Sequence, residues 1–203
     1  MSSRYHDHFK ERDAILYEHI RRFELPALEV PTNLFERLCR SIIGQQLSVK
    51  AAATIFSRLV TKSADASLAP DFILDLSAEE LRACGISYAK IKSLKDLAQK
   101  VKSGVLDLEK LKTLEEEEVI NALCTVHGIG RWTAEMFLLF SLGREDVFSH
   151  GDLGLKRAIQ MIYGFKKPPT QKQVEKIIKR WSPYKSFASR VLWRSLDNEP
   201  DKK

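Results

Sequence analysis

The stretch CTVHGIGRWTAEMFLLF, residues 124–140, places a histidine, two glycines and an arginine directly before an apolar helix. Gly128 and Gly130 allow the backbone to turn with positive φ and to come close to a ligand. Amide groups at the start of a helix bind phosphate, and His127 and Arg131 add donor groups or positive charge beside them. The pattern therefore predicts a phosphate-binding turn, although a tight turn between two helices uses the same glycines.

A single acidic residue precedes the next helix, in DVFSHGDLGLKRAIQ, residues 146–160. Asp152 stands at the N-cap position, where its simplest role is to accept a backbone hydrogen bond. The helix dipole at that position also keeps a carboxylate ionised, as a residue that stabilises positive charge in a reaction requires. Both interpretations of Asp152, helix cap and reactive carboxylate, are open at this point.

Residues 38–59, LCRSIIGQQLSVKAAATIFSRL, contain two apolar helices, of which the second starts near Ser48. Two amide side chains and a leucine lie between these helices. Gln45 and Gln46 are costly to bury without hydrogen bonds, so they are expected to line a surface or groove. Leu47 beside them could act as a wedge that enters a stack of nucleic-acid bases.

Length and composition limit the class of protein. With 203 residues, 44% of them apolar, the chain can bury the core of one sizeable domain or two small lobes. Lys and Arg number 33 against 27 Asp and Glu, and the resulting net charge of +6 favours a polyanionic partner. Three widely spaced cysteines indicate neither a disulfide framework nor a C-x-x-C metal site, which fits a reducing compartment. No apolar signal segment and no run of about 18 apolar residues occurs, so no membrane span is expected.

The positioning elements are expected to be helices. Residues 88–104 show the pattern, since Ile91, Leu94, Ala98 and Val101 recur at three and four residues. Similar periodicity runs nearly everywhere, and alternating strand patterns are nearly absent. We therefore predict an all-α fold with about ten helices.

Start and stop signals divide these helices. Capping patterns predict four starts: Ser77 with Glu80, Thr113 with Glu116, Thr170 with Gln173, and Ser182 before Pro183. Breaks are predicted at residues 24–32, 61–70 and 164–170, and the polar tail 197–203 is expected to fray. The acidic run LEEEEVI, residues 114–120, is expected at the first turn of a helix, where the helix dipole favours negative charge.

Four segments in consistent order resemble the DNA-3-methyladenine glycosylase II family of the helix-hairpin-helix DNA glycosylases. They are IIGQQLSVKAA, LRACGISYAKIKSLKDLA, VHGIGRWTAEMFLLFSLGREDVFSHGDLGLKRAI and WSPYKSFASRVLW, and the match spans residues 32–194. The resemblance implies an all-α, two-lobed helical bundle with a helix-hairpin-helix motif and a DNA-binding cleft between the lobes. It also implies a single glycosylase domain over residues 1–203, with lobe one at roughly 32–110, the hairpin and catalytic helix at roughly 115–163, and the N- and C-terminal helices packed together.

The same resemblance assigns site residues. The catalytic carboxylate falls on Asp152, and the base pocket falls on Trp132, Trp193 and Met136, although the family often has Tyr where Met136 stands. Trp181 is expected in the core. The DNA contacts fall on two turns: Gln45, Gln46, Leu47, Ser48 and Lys50, and His127, Gly128, Gly130 and Arg131. A monovalent cation, Na⁺ or K⁺, is implied at main-chain carbonyl groups of Thr125, Val126, His127, Gly128 and Gly130.

The implied activity is that of a monofunctional glycosylase. Such an enzyme hydrolyses the N-glycosidic bond of alkylated purines in base excision repair; 3-methyladenine and 7-methylguanine are the expected lesions, with 1,N6-ethenoadenine and hypoxanthine as further candidates. Bifunctional relatives carry a lysine nucleophile just after the hairpin glycines, where this chain has Trp132, so no lyase step is expected. The four-cysteine cluster of iron–sulfur relatives has no counterpart among three cysteines, and no other cofactor is implied.

The expected partner is double-stranded DNA with damaged bases, bound by a monomer in the cytoplasm with the nucleoid, or in the nucleus of a eukaryotic cell. Two alternative functions stay open. One is a glycosylase for oxidised or deaminated bases, because a neutral lesion can also fit an aromatic pocket. The other is a non-catalytic helix-hairpin-helix DNA-binding module, in which Asp152 would only cap its helix.

Overall fold

The computed structural model describes residues 3–22, 25–28, 30–64 and 66–197. Within these ranges the chain forms twelve α-helices, one short 3₁₀-helix and no strand, which confirms the predicted all-α class. The number of helices exceeds the ten expected because helices such as Pro70–Asp75, with six residues, are too short for a clear period. None of the helices in the described ranges has the length and apolar character needed to cross a membrane.

Contacts divide the described residues into two compact units. The central unit comprises Val30–Leu142, and the terminal unit comprises the described residues of Met1–Glu29 and Gly143–Lys203. The segment expected to hold the hairpin and catalytic helix, 115–163, is shared between the units, since its residues up to 142 belong to the central one. The expected single domain over residues 1–203, with lobe one at 32–110, stays a prediction.

Helix α7 organises the central unit. The helices of this unit are α3 (Leu34–Gly44), α4 (Val49–Val60), α5 (Pro70–Asp75), α6 (Ala78–Ala83), α7 (Tyr88–Lys102), the 3₁₀-helix Lys110–Lys112, α8 (Glu116–Cys124) and α9 (Arg131–Phe140). With fifteen residues, α7 is the longest, and it packs against α3, α5 and α6, while α8 packs against α9. Its apolar stripe, Ile91, Leu94 and Ala98, is buried as the periodicity predicts.

In the terminal unit, the last described helix packs against an N-terminal helix and against the helix that follows Asp152. The helices of this unit are α1 (Ser3–Arg12), α2 (Ala14–Ile20), α10 (Leu153–Ile162), α11 (Gln171–Ile178) and α12 (Lys185–Asp197). The last of these, α12, lies against α10 and α2, and the rings of Tyr5 and Phe187 stack with centroids 4.3 Å apart. Trp181 is fully buried, so its assignment to the core is confirmed.

A buried carboxylate ties this core together. Asp13 caps α2, where its Oδ1 accepts from the Leu16 amide (3.2 Å), and its Oδ2 accepts from the Tyr163 hydroxyl (2.6 Å) and the Trp181 indole N–H (2.9 Å). Arg180 forms an ion pair with the same oxygen at 3.2 Å. These partners offset the cost of burying the charge. Burial and the neighbouring Asp13 raise the pKa of Tyr163 above its ordinary value.

Two of the four predicted helix starts are confirmed, since Ser77 with Glu80 and Thr170 with Gln173 form capping boxes. The start at Thr113 is wrong. Its hydroxyl donates to the Lys110 carbonyl instead (2.9 Å), and α8 is capped by Glu115, whose amide donates to Glu118 Oε2 (2.9 Å).

The N-cap predicted at Ser182 is also wrong. Helix α12 begins only at Lys185, because Asp146 accepts hydrogen bonds from the Ser182 hydroxyl (3.0 Å) and the Lys185 amide (3.2 Å). The three predicted breaks lie between helices, except that Pro70 already begins α5, and residues 24, 29 and 65 are outside the described ranges. Of the tail expected to fray, only Asp197 is described, as the last residue of α12.

Candidate functional site

In the central unit, residues 125–130 form the turn between α8 and α9. The Ile129 amide donates to the Val126 carbonyl (3.1 Å), and Gly128 adopts a φ of +80°, as glycine readily does. The positive φ expected at Gly130 is wrong, since its φ of −102° is one that any residue can adopt. Gly130 is the N-cap of α9, so no N-cap side chain covers the first amide groups of that helix.

Three side chains hold this turn from outside. The His127 amide donates to Asp96 Oδ2 (2.7 Å), and the His127 ring Nδ1 lies 3.1 Å from Ser93 Oγ. Gln45 Nε2 donates to the Gly128 carbonyl at 2.9 Å. Burial alone would raise the pKa of Asp96, but hydrogen bonds from Lys100 and from the His127 amide outweigh it and lower that pKa.

The two glutamines of the 44–48 turn differ in orientation. Gln45 is half-buried because its side chain points to the hairpin, whereas Gln46 is exposed and has a φ of +57°, in the left-handed region. Leu47 exposes 39% of its surface, and its amide donates to the Gly44 carbonyl at 3.2 Å. The exposed Gln46 and Leu47 therefore form the outer part of the turn.

Helix α4 begins directly after this turn. The Ser48 hydroxyl caps the helix by accepting from the Ala51 amide (3.3 Å), which is a structural role. Val49 and Lys50 follow in the first helical turn, where Lys50 is exposed and Val49 exposes 89% of its surface. An exposed valine beside the exposed Leu47 extends the apolar surface of the 44–48 turn.

Arg131, expected to contact phosphate, is engaged by two carboxylates. Its guanidinium forms a paired hydrogen bond with Glu117, one arm at 3.0 Å, and its Nε donates to Glu135 Oε1 at 3.0 Å. Glu135 is only 4% exposed, so the arginine compensates a buried charge. Because two negative groups face one positive group, this cluster adds no net positive charge beside the turn.

The aromatic residue of the hairpin lies at the surface. Trp132 is 50% exposed and therefore lies outside the core, and Met136 is partly buried. The two residues are four apart on α9 and therefore share one face of the helix. This face presents an indole ring and a polarisable thioether, side chains suited to contact with an aromatic base.

In the terminal unit, Asp152 lies at the N-cap of α10, as the sequence predicts. Its Oδ1 accepts from the Leu155 amide (2.8 Å) and from the Trp193 indole N–H (3.4 Å), and the residue is 8% exposed. A Cβ added to Gly154 would lie 3.0 Å from Asp152 Oδ1 and 3.6 Å from Trp193 Cδ1. The structure therefore brings the predicted Asp152 and Trp193 together around a glycine.

Sequence reasoning missed several residues of these two sites. They are Lys90, Ser93 and Asp96 on α7, Glu117 on α8, and Gly154 on α10. Polar residues at every third position of an amphipathic helix share one face, and this signal could have singled out the three on α7. Glu117 offers no comparable signal, because its partner Arg131 lies 14 positions along the chain. Gly154 offers none either, because its neighbour Trp193 comes from another helix.

Comparison with known proteins identifies the family of this chain. Residues 39–183, most of the chain, match the family described as HhH-GPD superfamily base excision DNA repair protein. The chain belongs to this superfamily.

Proteins similar to this chain include 3-methyladenine glycosylases. DNA-3-methyladenine glycosylase 1 of Schizosaccharomyces pombe is 38% identical over 163 residues, which cover 79% of this chain and 72% of that protein. The crystal structure of DNA-3-methyladenine glycosidase from Bacillus halodurans has a TM-score of 0.83 and 37% identity, covering 94% of this chain and 88% of the other. The S. pombe glycosylase Mag1 in complex with abasic DNA has a TM-score of 0.81 and 33% identity, covering 96% and 97%.

The two hairpin glycines should separate stability from DNA binding. Gly128→Ala is expected to lower the free energy of unfolding by about 1–3 kcal/mol, because a Cβ there meets Ser93 and φ is positive. Gly130→Val is expected to lower the free energy of unfolding by less than about 1 kcal/mol, since nothing lies within 4 Å of an added Cβ. It should instead weaken binding to damaged and undamaged duplexes by the same factor, because it obstructs phosphate and contacts no base.

Urea denaturation and fluorescence anisotropy with labelled duplexes measure these two effects. Equal loss of stability in both variants would contradict the packing assigned to Gly128. Loss of affinity for one lesion alone in Gly130→Val would contradict the phosphate-binding role.

Proposed function

We propose that this chain is a monofunctional DNA glycosylase that hydrolyses the N-glycosidic bond of alkylated purines such as 3-methyladenine and 7-methylguanine. The observation that carries the proposal is the position of Asp152, a carboxylate fixed at the N-cap of α10 by the Leu155 amide and the Trp193 indole. The 3-methyladenine glycosylases among its relatives support this class of substrate.

Hydrolysis of the glycosidic bond of an alkylated purine does not require the protein to protonate the departing base. An alkylated purine carries a formal positive charge, so its glycosidic bond is already weak and the base leaves without protonation. The sugar that remains resembles an oxocarbenium ion. One ionised carboxylate can stabilise that cation and orient or deprotonate the attacking water. We assign both tasks to Asp152.

The surroundings of Asp152 keep this charge in place. The N-terminal end of α10 favours a negative group, and the bond from the Leu155 amide fixes one carboxylate oxygen. The Trp193 N–H donates to the same oxygen, and Gly154 leaves room for the contact between these two side chains. A carboxylate held by fixed donors needs little reorganisation when the positive charge develops on the sugar.

Recognition of the base is assigned to aromatic surface. A cationic purine stacked on an indole gains cation–π energy of about 0.5–2 kcal/mol, which selects by charge as well as by shape. The base-pocket roles of Trp132, Trp193 and Met136 belong to this proposal. The half-exposed indole of Trp132 supports it, since an exposed aromatic ring is available to a ligand.

The partner that fits the proposal is duplex DNA, bound by a single copy of the chain. Amide groups at the start of α9 would receive phosphate, and the 44–48 turn with Gln46 and Leu47 would fill the gap left by a flipped nucleotide. Flipping costs a few kcal/mol and less for a damaged base. The complex of the related Mag1 with abasic DNA supports this partner. The activity belongs with cellular DNA, in the cytoplasm of a prokaryote or the nucleus of a eukaryote.

We also propose a monovalent cation at the hairpin carbonyl groups, where it would neutralise phosphate charge. The Val126 and Gly128 carbonyls each accept one hydrogen bond, from the Ile129 amide (3.1 Å) and from Gln45 (2.9 Å). A carbonyl oxygen has two lone pairs, so both can still take a ligand. Within the described residues no cluster of three His, Cys, Asp or Glu side chains could hold a metal ion, which leaves main-chain oxygen as the donor.

Asp152→Asn is expected to slow base release by at least about a thousandfold, because the amide keeps the cap bond from Leu155 but loses the charge. Affinity for an abasic-site duplex should stay within a fewfold. Asp146→Asn is the matched control, since it removes the same charge from the same loop at a carboxylate that holds Ser182 and Lys185. Near-wild-type release by Asp152→Asn would overturn the catalytic assignment.

Single-turnover assays with four duplexes test the substrate class. The duplexes carry 7-methylguanine, 1,N6-ethenoadenine, hypoxanthine or 8-oxoguanine, and the control Asp146→Asn is assayed beside the wild type. Release of 8-oxoguanine alone would replace the proposal with a glycosylase for oxidised bases. Binding without release of any base would indicate a non-catalytic DNA-binding module.

Cation binding at the hairpin is expected to appear by anomalous scattering. A complex with DNA crystallised in Rb⁺, in place of Na⁺ or K⁺, should show an anomalous peak at coordination distance from carbonyl oxygens of residues 125–130. Crystals grown with Li⁺ alone serve as the control for that peak. A well-ordered complex without the peak would rule the cation out.

No covalent intermediate with a lysine is expected. The position after the hairpin glycines holds Trp132, and an indole nitrogen is not a nucleophile. Borohydride added during turnover should therefore trap little protein on DNA, and product strands should break only after alkali or heat. Efficient trapping by the wild-type protein would overturn the monofunctional assignment and favour oxidised purines as substrates.

A further inference from the structure

Lys90 lies where a cation is poorly placed on its own helix. It stands in the first turn of α7, at the positive end of the helix dipole, and burial lowers its pKa. Its Nζ compensates by donating to the carbonyl groups of Ile43 (2.8 Å) and Gln45 (2.7 Å). These two carbonyls belong to the C-terminal end of α3, where a positive group is favourable and the last oxygens lack helical partners.

The ammonium group of Lys90 thereby anchors the 44–48 turn. The Gln45 carbonyl that it binds directly precedes Gln46, whose φ of +57° is strained for a residue with a side chain. Strained backbone persists only where its surroundings fix it. Lys90 supplies that constraint on the inner side of the turn and leaves Gln46 and Leu47 exposed on the outer side.

The same face of α7 also holds the hairpin. Ser93 and Asp96 follow Lys90 at intervals of three residues, and they contact the ring and the amide of His127 (3.1 and 2.7 Å). Gln45 joins the two turns directly, since its Nε2 donates to the Gly128 carbonyl (2.9 Å) while its own carbonyl accepts from Lys90. One chain of hydrogen bonds therefore runs from α7 through the 44–48 turn to the hairpin.

We propose that Lys90 is a positioning residue for DNA binding, which holds the 44–48 turn in register with the hairpin turn, 125–130, so that both contact one duplex. Lys90 itself does not touch the DNA. The inference rests on the proposed function, because it needs duplex DNA as the partner. Lys90 would affect the affinity for DNA only through its hydrogen bonds to the Ile43 and Gln45 carbonyl groups.

Helix α7 offers a matched control. Lys95 is also partly buried, its pKa is likewise lowered by burial, and its Nζ donates to the carbonyl groups of Leu74 (2.8 Å) and Leu76. These carbonyls belong to the C-terminal end of α5, which carries none of the residues assigned to DNA. Lys90→Met and Lys95→Met therefore remove the same charge and the same kind of helix cap from one helix, Lys90 in its first turn and Lys95 in its middle, but only Lys90 holds a turn assigned to DNA.

Affinity for a duplex with a tetrahydrofuran abasic-site analogue tests the proposal, with the melting temperature of each variant measured first. Both variants are expected to melt at a similarly lowered temperature. Lys90→Met should raise the Kd about tenfold, as loss of hydrogen bonds from a charged group implies, whereas Lys95→Met should change it less than about twofold. An equal rise in both variants, or no rise in either, would overturn the proposal.

A second variant keeps the test decisive if Lys90→Met does not fold. Lys90→Gln keeps N–H donors on a side chain one bond shorter than lysine, and it should raise the Kd by an intermediate factor. Hydrogen exchange supplies an independent readout: the Leu47 amide, bonded to the Gly44 carbonyl at 3.2 Å, should exchange faster in the Lys90 variants and not in Lys95→Met. Unchanged exchange together with unchanged affinity in Lys90→Gln would contradict the positioning role.

The result also separates this inference from the function on which it rests. A wild-type protein that neither binds the abasic duplex nor releases a base would refute the proposed glycosylase. A wild-type protein that does both, with Lys90→Met indistinguishable from Lys95→Met, would refute the role of Lys90 alone.

Discussion

The close approach of the Gly128 backbone to Ser93 is the constraint on which the hairpin depends. A Cβ at residue 128 would come within 3.2 Å of the Ser93 Cβ and still closer to its hydroxyl, so only glycine lets the turn lie directly on α7. At this separation the His127 amide reaches Asp96, and the Gly128 carbonyl reaches Gln45. A fifteen-residue helix thus preorganises the turn, and for the phosphate-binding role that we propose this lowers the entropy lost when DNA binds.

The geometry of Asp152 makes its helix cap compatible with the catalytic role that we propose for it. The N-cap position supplies a fixed amide donor to Oδ1 and lies at the positive end of the helix dipole, where a negative group is favourable. The Trp193 N–H adds a second donor to the same oxygen. A capping bond at Asp152 is therefore no argument against catalysis, since the bond that starts the helix also orients the charge.

Local patterns predicted much of this structure, and contacts between distant segments account for what they missed. Periodicity identified the buried stripe of α7, the paired glycines identified the turn at Gly128, and an acidic residue just before a helix identified the cap at Asp152. Each of these signals depends on residues a few positions apart. The inward orientation of Gln45 depends on a carbonyl 83 positions away, which no local pattern records. The wrong start at Ser182 has the same cause, since Asp146, 36 positions earlier, binds its hydroxyl.

The distribution of charge around the hairpin suits a division in which some groups bind the DNA backbone and others distinguish a damaged base. The chain carries a net charge of +6, yet Arg131 faces Glu117 and Glu135 and adds no net positive charge to the turn. In the proposed complex, attraction for phosphate at the hairpin then falls mainly to the amide groups at the start of α9. Amides that contact phosphate carry no information about the base, so they hold damaged and undamaged DNA alike. Discrimination must come from groups that meet the base itself, and the half-exposed indole of Trp132 on the same helix is the group to which we assign that role.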